Sequence, residues 1–242
     1  MTQIFKADHA RRIELAGVGP APRPVDIDQA QTGFAALRTL RIYRFDPPAT
    51  VHGHAEEDEV FIVVLCGEVE LQMRSEHWSR NDARFVLEAA DAASPVACVA
   101  YLPPHAEYAL TPRTPADVAY ARARPISGRS PAVFTTAPLP NGAGTQLLLD
   151  ESSHAERLRL QLWQIRTREI AADLMPANRP VAAGEILIYV RAAPVLAVTV
   201  DAQDLPTVAL ESWDTLAVSA GEWPRLRVAA RSSALSLVVS AA

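Results

Sequence analysis

Apolar and polar positions alternate with a period of two along much of this chain, and few stretches keep the helical period. Leu40-Arg-Ile-Tyr-Arg-Phe45 and Val69-Glu-Leu-Gln-Met73 read as half-buried strands, apolar on one face and polar on the other. Between them, Glu59 to Leu65 is an almost unbroken apolar run closed by Gly67, the pattern of a strand covered on both faces. Further strands are predicted at Arg84–Leu87, at Val96–Leu102 where Pro103-Pro104 ends the run, at Tyr108–Leu110 and at Val118–Ala123. Pro20, Pro22 and Pro24 exclude a long helix near the start. Residues 75–94 are polar and Ala-rich, a loop around the Arg84 strand. Residues 124–150, rich in Pro, Gly and Ser, read as a connector.

A second set of alternating segments begins near Arg157. Leu158, Leu160 and Leu162 alternate with Arg159, Gln161 and Trp163. Strands are predicted again at Gly184–Val190, Val195–Val200, Thr215–Val218, Leu226–Val228 and Leu235–Val239. The two sets echo each other: Ala100–Leu110 can be laid over Asp214–Leu226, with His105 against Gly221, each a strand, a tight turn and a strand. The expected organisation is all-β, two copies of one antiparallel unit. Residues 1–125 form the first, 126–156 connect, and 157–242 form the second.

Composition narrows the function classes. The chain of 242 residues is 49% hydrophobic and 21% charged, with a formal net charge of −5. No Lys/Arg run points to a nucleic-acid or membrane partner. No phosphate loop, nucleotide fingerprint or Ser/Cys triad signature occurs, so no nucleotide cofactor is expected. No apolar run reaches the ~18 residues that span a bilayer, and the N-terminal residues have no apolar signal core, so a cytoplasmic location is expected. Cys66 and Cys98 each sit in an apolar strand and read as buried reduced thiols. His9, His77 and His154 lie in polar contexts and read as surface residues.

The candidate chemistry lies in His52-Gly-His54-Ala-Glu-Glu-Asp-Glu59. Histidines two apart share one face of a strand, and a carboxylate follows one turn later. Two imidazoles and a carboxylate can hold a divalent metal with open coordination positions. Glu56-Glu57-Asp58 reads as a solvated turn, or as the source of the carboxylate if Glu59 faces away. Arg41 and Arg44 read as exposed strand residues; facing a barrel lumen instead, either would suit a substrate carboxylate.

These residues resemble the cupin superfamily, whose first motif is similar to G-x5-H-x-H-x3,4-E-x6-G. His52, His54, Glu59 and Gly67 supply its recognisable positions, and Pro103-Pro-His-Ala-Glu-Tyr108 stands where the second motif falls. The resemblance implies two jelly-roll (double-stranded β-helix) barrels in one chain. Within the superfamily, the scaffold is most similar to 5-deoxyglucuronate isomerases, in Glu59–Gly67, Val99–Pro104 and Asp117–Ala121. Seven residues rather than six separate Glu59 from Gly67, which places Val60 at the expected glutamate position and turns Glu59 outward unless a bulge re-aims it. The motif-two histidine position is Tyr108, and no histidine follows His154.

The resemblance implies a divalent ion (Fe, Mn, Ni or Zn) on His52, His54 and Glu59, with His105 or Tyr108 as a fourth ligand and Tyr108 or Glu107 moving the proton. It implies a metal-dependent isomerase of a small sugar acid or related carboxylate, and a homodimer through strand edges. Two alternatives stay open: an Fe(II)-dependent dioxygenase, and a degenerate bicupin that binds a small ligand without catalysis.

Overall fold

The computed structural model describes residues 3–74, 83–89, 96–126, 129–136, 144–151, 154–166, 185–192, 196–201, 208–219, 225–230 and 234–241. His77, Gly184, Val195, Gly221, Trp223 and Pro224 lie outside them.

The first strands are short: β1 (Gln3–Phe5), β2 (Arg12–Leu15), β3 (Gly19–Pro22) and β4 (Val25–Asp28). A single helical turn, α1 (Gln29–Thr32), is capped by Asp28 and stopped by Gly33 in the left-handed region. The body of the first half is β5 (Leu37–Phe45), β6 (Val51–His54), β7 (Glu59–Cys66), β8 (Glu68–Arg74), β9 (Ala83–Glu88), β10 (Ala97–Leu102), β11 (Glu107–Pro112) and β12 (Ala116–Ala123). Residues 124–150, expected as a connector, contain β13 (Ala132–Thr135) and most of β14 (Gly144–Glu151). Then come β15 (Leu158–Arg166), β16 (Glu185–Ala192), β17 (Leu196–Asp201), β18 (Val208–Leu210), β19 (Thr215–Val218), β20 (Arg225–Ala230) and β21 (Ala234–Ala241).

The strands pair into two similar sets. One six-stranded sheet has the order β13-β10-β7-β12-β5-β4, and the other β1-β19-β16-β21-β15-β14. Read position by position, β7 matches β16, β12 matches β21 and β5 matches β15. The smaller sheets β6-β11-β8-β9 and β18-β17-β20 complete the two halves. The edges are exchanged: β1, from the start of the chain, pairs with β19, and β13 pairs with β10. The architecture is all-β, as the alternation predicts.

β7 explains the placement of the core. Phe61, Val63 and Leu65 join Leu158, Leu160, Leu187, Tyr189 and Val239 in one apolar cluster that includes both six-stranded sheets. Val60, Ile62 and Val64 point the other way and fill the first barrel with Val69, Leu71, Met73, Leu102 and Leu110. A strand serving two cores has no polar face, hence the unbroken run.

Two glutamates, one fully buried and one half-buried, tie the halves together. Glu59, at the start of β7, is fully buried and accepts the backbone N–H groups of Glu156, Arg157 and Leu158 at 3.0, 2.8 and 2.6 Å. The Tyr101 hydroxyl donates to it at 3.3 Å. Glu185, at the matching position of β16, accepts the N–H groups of Ala35, of Ala36 at 2.9 Å and of Leu37 at 2.7 Å. Each carboxylate therefore caps the entry of a long strand of the other half, β15 for Glu59 and β5 for Glu185. Charge is also shared across the junction: Asp117 accepts from Arg44 at 3.2 Å and pairs with Arg191 at 2.8 Å. Both guanidiniums lie over the Trp213 ring, at 4.4 and 5.7 Å from its centre.

Candidate functional site

The sheet β6-β11-β8 fixes the direction of each motif residue. Its register aligns His54 with Glu107 and Arg74, Gly53 with Tyr108 and Met73, and His52 with Ala109 and Gln72. Met73 and Leu71 lie in the barrel core, so the Gly53–Tyr108–Met73 row faces the lumen. The rows on either side face outward. His52 and His54 are exposed on that outer face and line an open cleft of about 620 Å³ with Gln72, Arg74 and Glu107.

The metal set inferred from the motif does not assemble. Glu59 is occupied by backbone amides on the opposite side of β7, facing the second half. His54 Nδ1 accepts the Glu56 N–H at 2.7 Å, which leaves the ring proton on Nε2 and no free lone pair on the neutral imidazole. His105 sits exposed in the turn before β11 at φ 63°, its Nε2 4.0 Å from the Glu57 carboxylate. Asp58, from the acidic turn, is buried against Arg38 at 2.8 Å. Among the described residues no three His, Cys, Asp or Glu side chains form a metal-binding group. The residues present do not fit the divalent ion that the motif implies.

Tyr108 takes up the lumen beside Gly53. A Cβ at residue 53 would come within 2.2 Å of the Tyr108 ring, so glycine is what admits the ring here. Its centre lies 5.9 Å from that of Tyr120, and Tyr120 meets Tyr43 edge-on at 5.4 Å. Burial pushes the Tyr108 hydroxyl up to about 12, with the nearby Arg122 charge pulling the other way. Burial likewise raises Tyr120 well above the usual phenol value. Both remain neutral at ordinary pH, so Tyr108 presents a phenol rather than a ligating tyrosinate. Glu107 and Tyr108, the two expected proton carriers, project from opposite faces of β11.

A small cavity of about 90 Å³ remains beside these tyrosines at the mouth of the first barrel. Arg41, Tyr43, His52, Tyr108, Tyr120 and Arg122 supply its polar groups, and Leu15, Phe45 and Val51 its apolar wall. Arg122 donates to the His54 carbonyl at 2.7 Å, which fixes its guanidinium at the rim. Arg41 faces the lumen, whereas Arg44 faces the second half. Tyr43, Tyr120 and Arg122 were not apparent as site residues from sequence. Their signal is the spacing of Arg41, Tyr43 and Phe45 along β5 and of Tyr120 and Arg122 along β12, polar and aromatic groups on one face of otherwise apolar strands.

Cys98 is buried as expected and Cys66 is half-buried, both with free thiols. His154, expected at the surface, is half-buried and packs edge-on against Tyr101 and Phe134 at 5.0 and 5.4 Å. No helix among the described residues is long and apolar enough to cross a membrane.

No protein-family model and no curated protein matches the sequence. Solved structures do match. An IolB-like protein from Salmonella typhimurium LT2 aligns over 99% of this chain and 92% of its own, at 16% identity and a TM-score of 0.67. The Escherichia coli pirin YhhW, solved in complex with nickel(II), aligns over 100% and 99%, at 15% identity and a TM-score of 0.64. A variant of Bacillus subtilis oxalate decarboxylase OxdC aligns over 98% and 76%, at 10% identity and a TM-score of 0.67. These proteins are cupins, and the fold of this chain is a two-barrel cupin fold.

Proposed function

We propose that this chain is a small-molecule-binding cupin whose first barrel works without a metal in its lumen. The observation that carries the reading is Tyr108: its ring fills the lumen against Gly53, and the cavity left beside it is lined by phenols and guanidiniums with His52 as its one imidazole, too few ligands to hold an ion. At about 90 Å³ the cavity holds the volume of ~3 waters, which suits a ligand of a few non-hydrogen atoms or the end group of a larger one. Binding there needs neither His52 nor His54 as a ligand to metal.

The isomerase reading draws support from the IolB-like neighbour, and a metal from the nickel complex of the pirin. Against both stand the position of Glu59 and the proton on His54 Nε2, and no feature of the lumen favours the dioxygenase.

Fluorine NMR of protein labelled with 3-fluorotyrosine tests the proposal. Of the 5 tyrosines, Tyr43, Tyr108 and Tyr120 line the lumen and Tyr101 and Tyr189 do not. A fragment screen in EDTA is expected to yield compounds that shift the first three resonances and leave the other two. Compounds that bind only after metal is added back, or that shift none of the three, would overturn it.

A further inference from the structure

The two guanidiniums that line the lumen cavity share their carboxylate partners with other arginines. Asp26, on β4, faces Arg41 across the strand pair. It pairs with Arg11, with Arg23 at 2.7 Å and with Arg41 at 3.1 Å. One carboxylate thus serves three guanidiniums. Arg122, on the other wall, lies 3.6 Å from Glu56 and 3.8 Å from Asp58, and Asp58 already holds Arg38 at 2.8 Å. Five guanidiniums therefore share three carboxylates in these ion pairs, and two of them, Arg41 and Arg122, line the cavity.

Two buried polar atoms there lack a well-formed partner among the described residues. The Tyr120 hydroxyl, on a residue 5% exposed, is near the Tyr108 hydroxyl but makes no well-formed hydrogen bond, and neither does Arg23 Nε on a residue 8% exposed. A buried hydroxyl without a partner loses free energy on folding, on the order of 1–3 kcal/mol, unless something else supplies the bond. The Tyr43 hydroxyl accepts from Arg23 at 3.1 Å, which leaves its own proton free to donate. Guanidiniums only donate and a neutral phenol has a proton to donate, so an anionic acceptor complements this lining.

We propose that the ligand of this lumen is a small carboxylate, its oxygens received by the Tyr120 hydroxyl and the Arg41 and Arg122 guanidiniums. The assignment rests on the reading of the lumen as a ligand site and adds its chemical class. The raised tyrosine values agree with it, because the phenols stay protonated as donors across neutral pH.

The test is calorimetric titration of the whole protein, in EDTA, with acetate, glyoxylate and pyruvate, and with acetamide as the neutral counterpart of acetate. The carboxylates are expected to bind and acetamide not to. Tyr120→Phe removes only a hydroxyl without a well-formed hydrogen bond, so it should fold as the parent does. It should weaken carboxylate binding by about tenfold or more, the usual loss for a hydrogen bond to a charged group. Arg41→Met should do likewise, and higher salt should weaken binding in the parent. If acetamide binds as well as acetate and shifts the Tyr43, Tyr108 and Tyr120 resonances, the carboxylate class is overturned and the lumen reading survives. If no carboxylate binds, or if those that bind are insensitive to both substitutions, the carboxylate proposal is overturned. The lumen reading falls with it only if no fragment shifts the three resonances.

Discussion

Glu59→Ala separates a structural from a metal-ligating carboxylate. In the parent, a fully buried carboxylate receives three backbone N–H groups at 2.6–3.0 Å and the Tyr101 hydroxyl at 3.3 Å. Hydrogen bonds to a charged group contribute ~1.5–3 kcal/mol each, and a buried donor left unpaired costs ~1–3 kcal/mol. The Leu158 amide is buried and loses its partner outright, whereas Glu156 and Arg157 are half-buried and regain some water. The expected loss is about 3–5 kcal/mol, a large part of the 5–15 kcal/mol that holds a typical domain. With a urea slope of ~2–3 kcal/mol/M, the unfolding midpoint should fall by ~1–2.5 M. Glu59→Gln should lose less, since one oxygen still accepts while the new amide N–H₂ opposes the backbone donors. Glu185→Ala, its counterpart in the other half, should cost a similar amount. Urea melts followed by tryptophan fluorescence and by far-UV circular dichroism measure all three. A loss below ~1 kcal/mol for Glu59→Ala, or the release of one metal ion per chain by that variant, would refute the assignment of Glu59 to the junction.

Gly53→Ala should destabilise by ~1–3 kcal/mol, the usual cost of overpacking, and Gly53→Ala/Tyr108→Ala should recover part of it, because the clash at 2.2 Å is with that ring; thermal melts decide. Burial raises Tyr108 from 10.0 to about 12, so its share of the stability is complete below pH 10 and is lost as the pH rises towards 12. Absorbance at 295 nm in Tyr108→Phe should lack a phenolate step in that upper range and match the parent below it. Burial pushes the Cys98 thiol up to about 12 as well, so a thiol reagent at pH 8 should label the half-buried Cys66 first and Cys98 only on unfolding.

The alternation carried the fold well wherever a strand has one wet face, as in Leu37–Phe45 and Glu68–Arg74. It failed for β13 and β14, which lie in a segment of breaker residues and owe their pairing to the edges they meet, β10 and β15. For the site, period two correctly places His52 and His54 on one face but cannot say which face. A shift of one residue exchanges lumen and surface, and here Val51 and Gly53 take the inside. The spacing to Gly67 already placed Val60 on the lumen side and Glu59 away from it. The recurrence of a glutamate opening two equivalent apolar strands, Glu59-Val-Phe-Ile-Val and Glu185-Ile-Leu-Ile-Tyr, also distinguishes a repeated structural element from a ligand confined to one barrel. The lumen pocket was hidden because Arg41, Tyr43, Tyr120 and Arg122 converge from two strands some eighty residues apart.

The central claim is that the first barrel binds its ligand with phenols and guanidiniums and without a lumen metal. Its most direct test is elemental analysis after the protein is equilibrated in turn with Fe(II), Mn(II), Ni(II) and Zn(II) and then desalted, alongside fragment binding in the same samples. The account predicts well under one tightly held ion per chain, and binding unchanged by EDTA or by His54→Ala. One ion per chain, lost together with ligand binding in that variant, would contradict it.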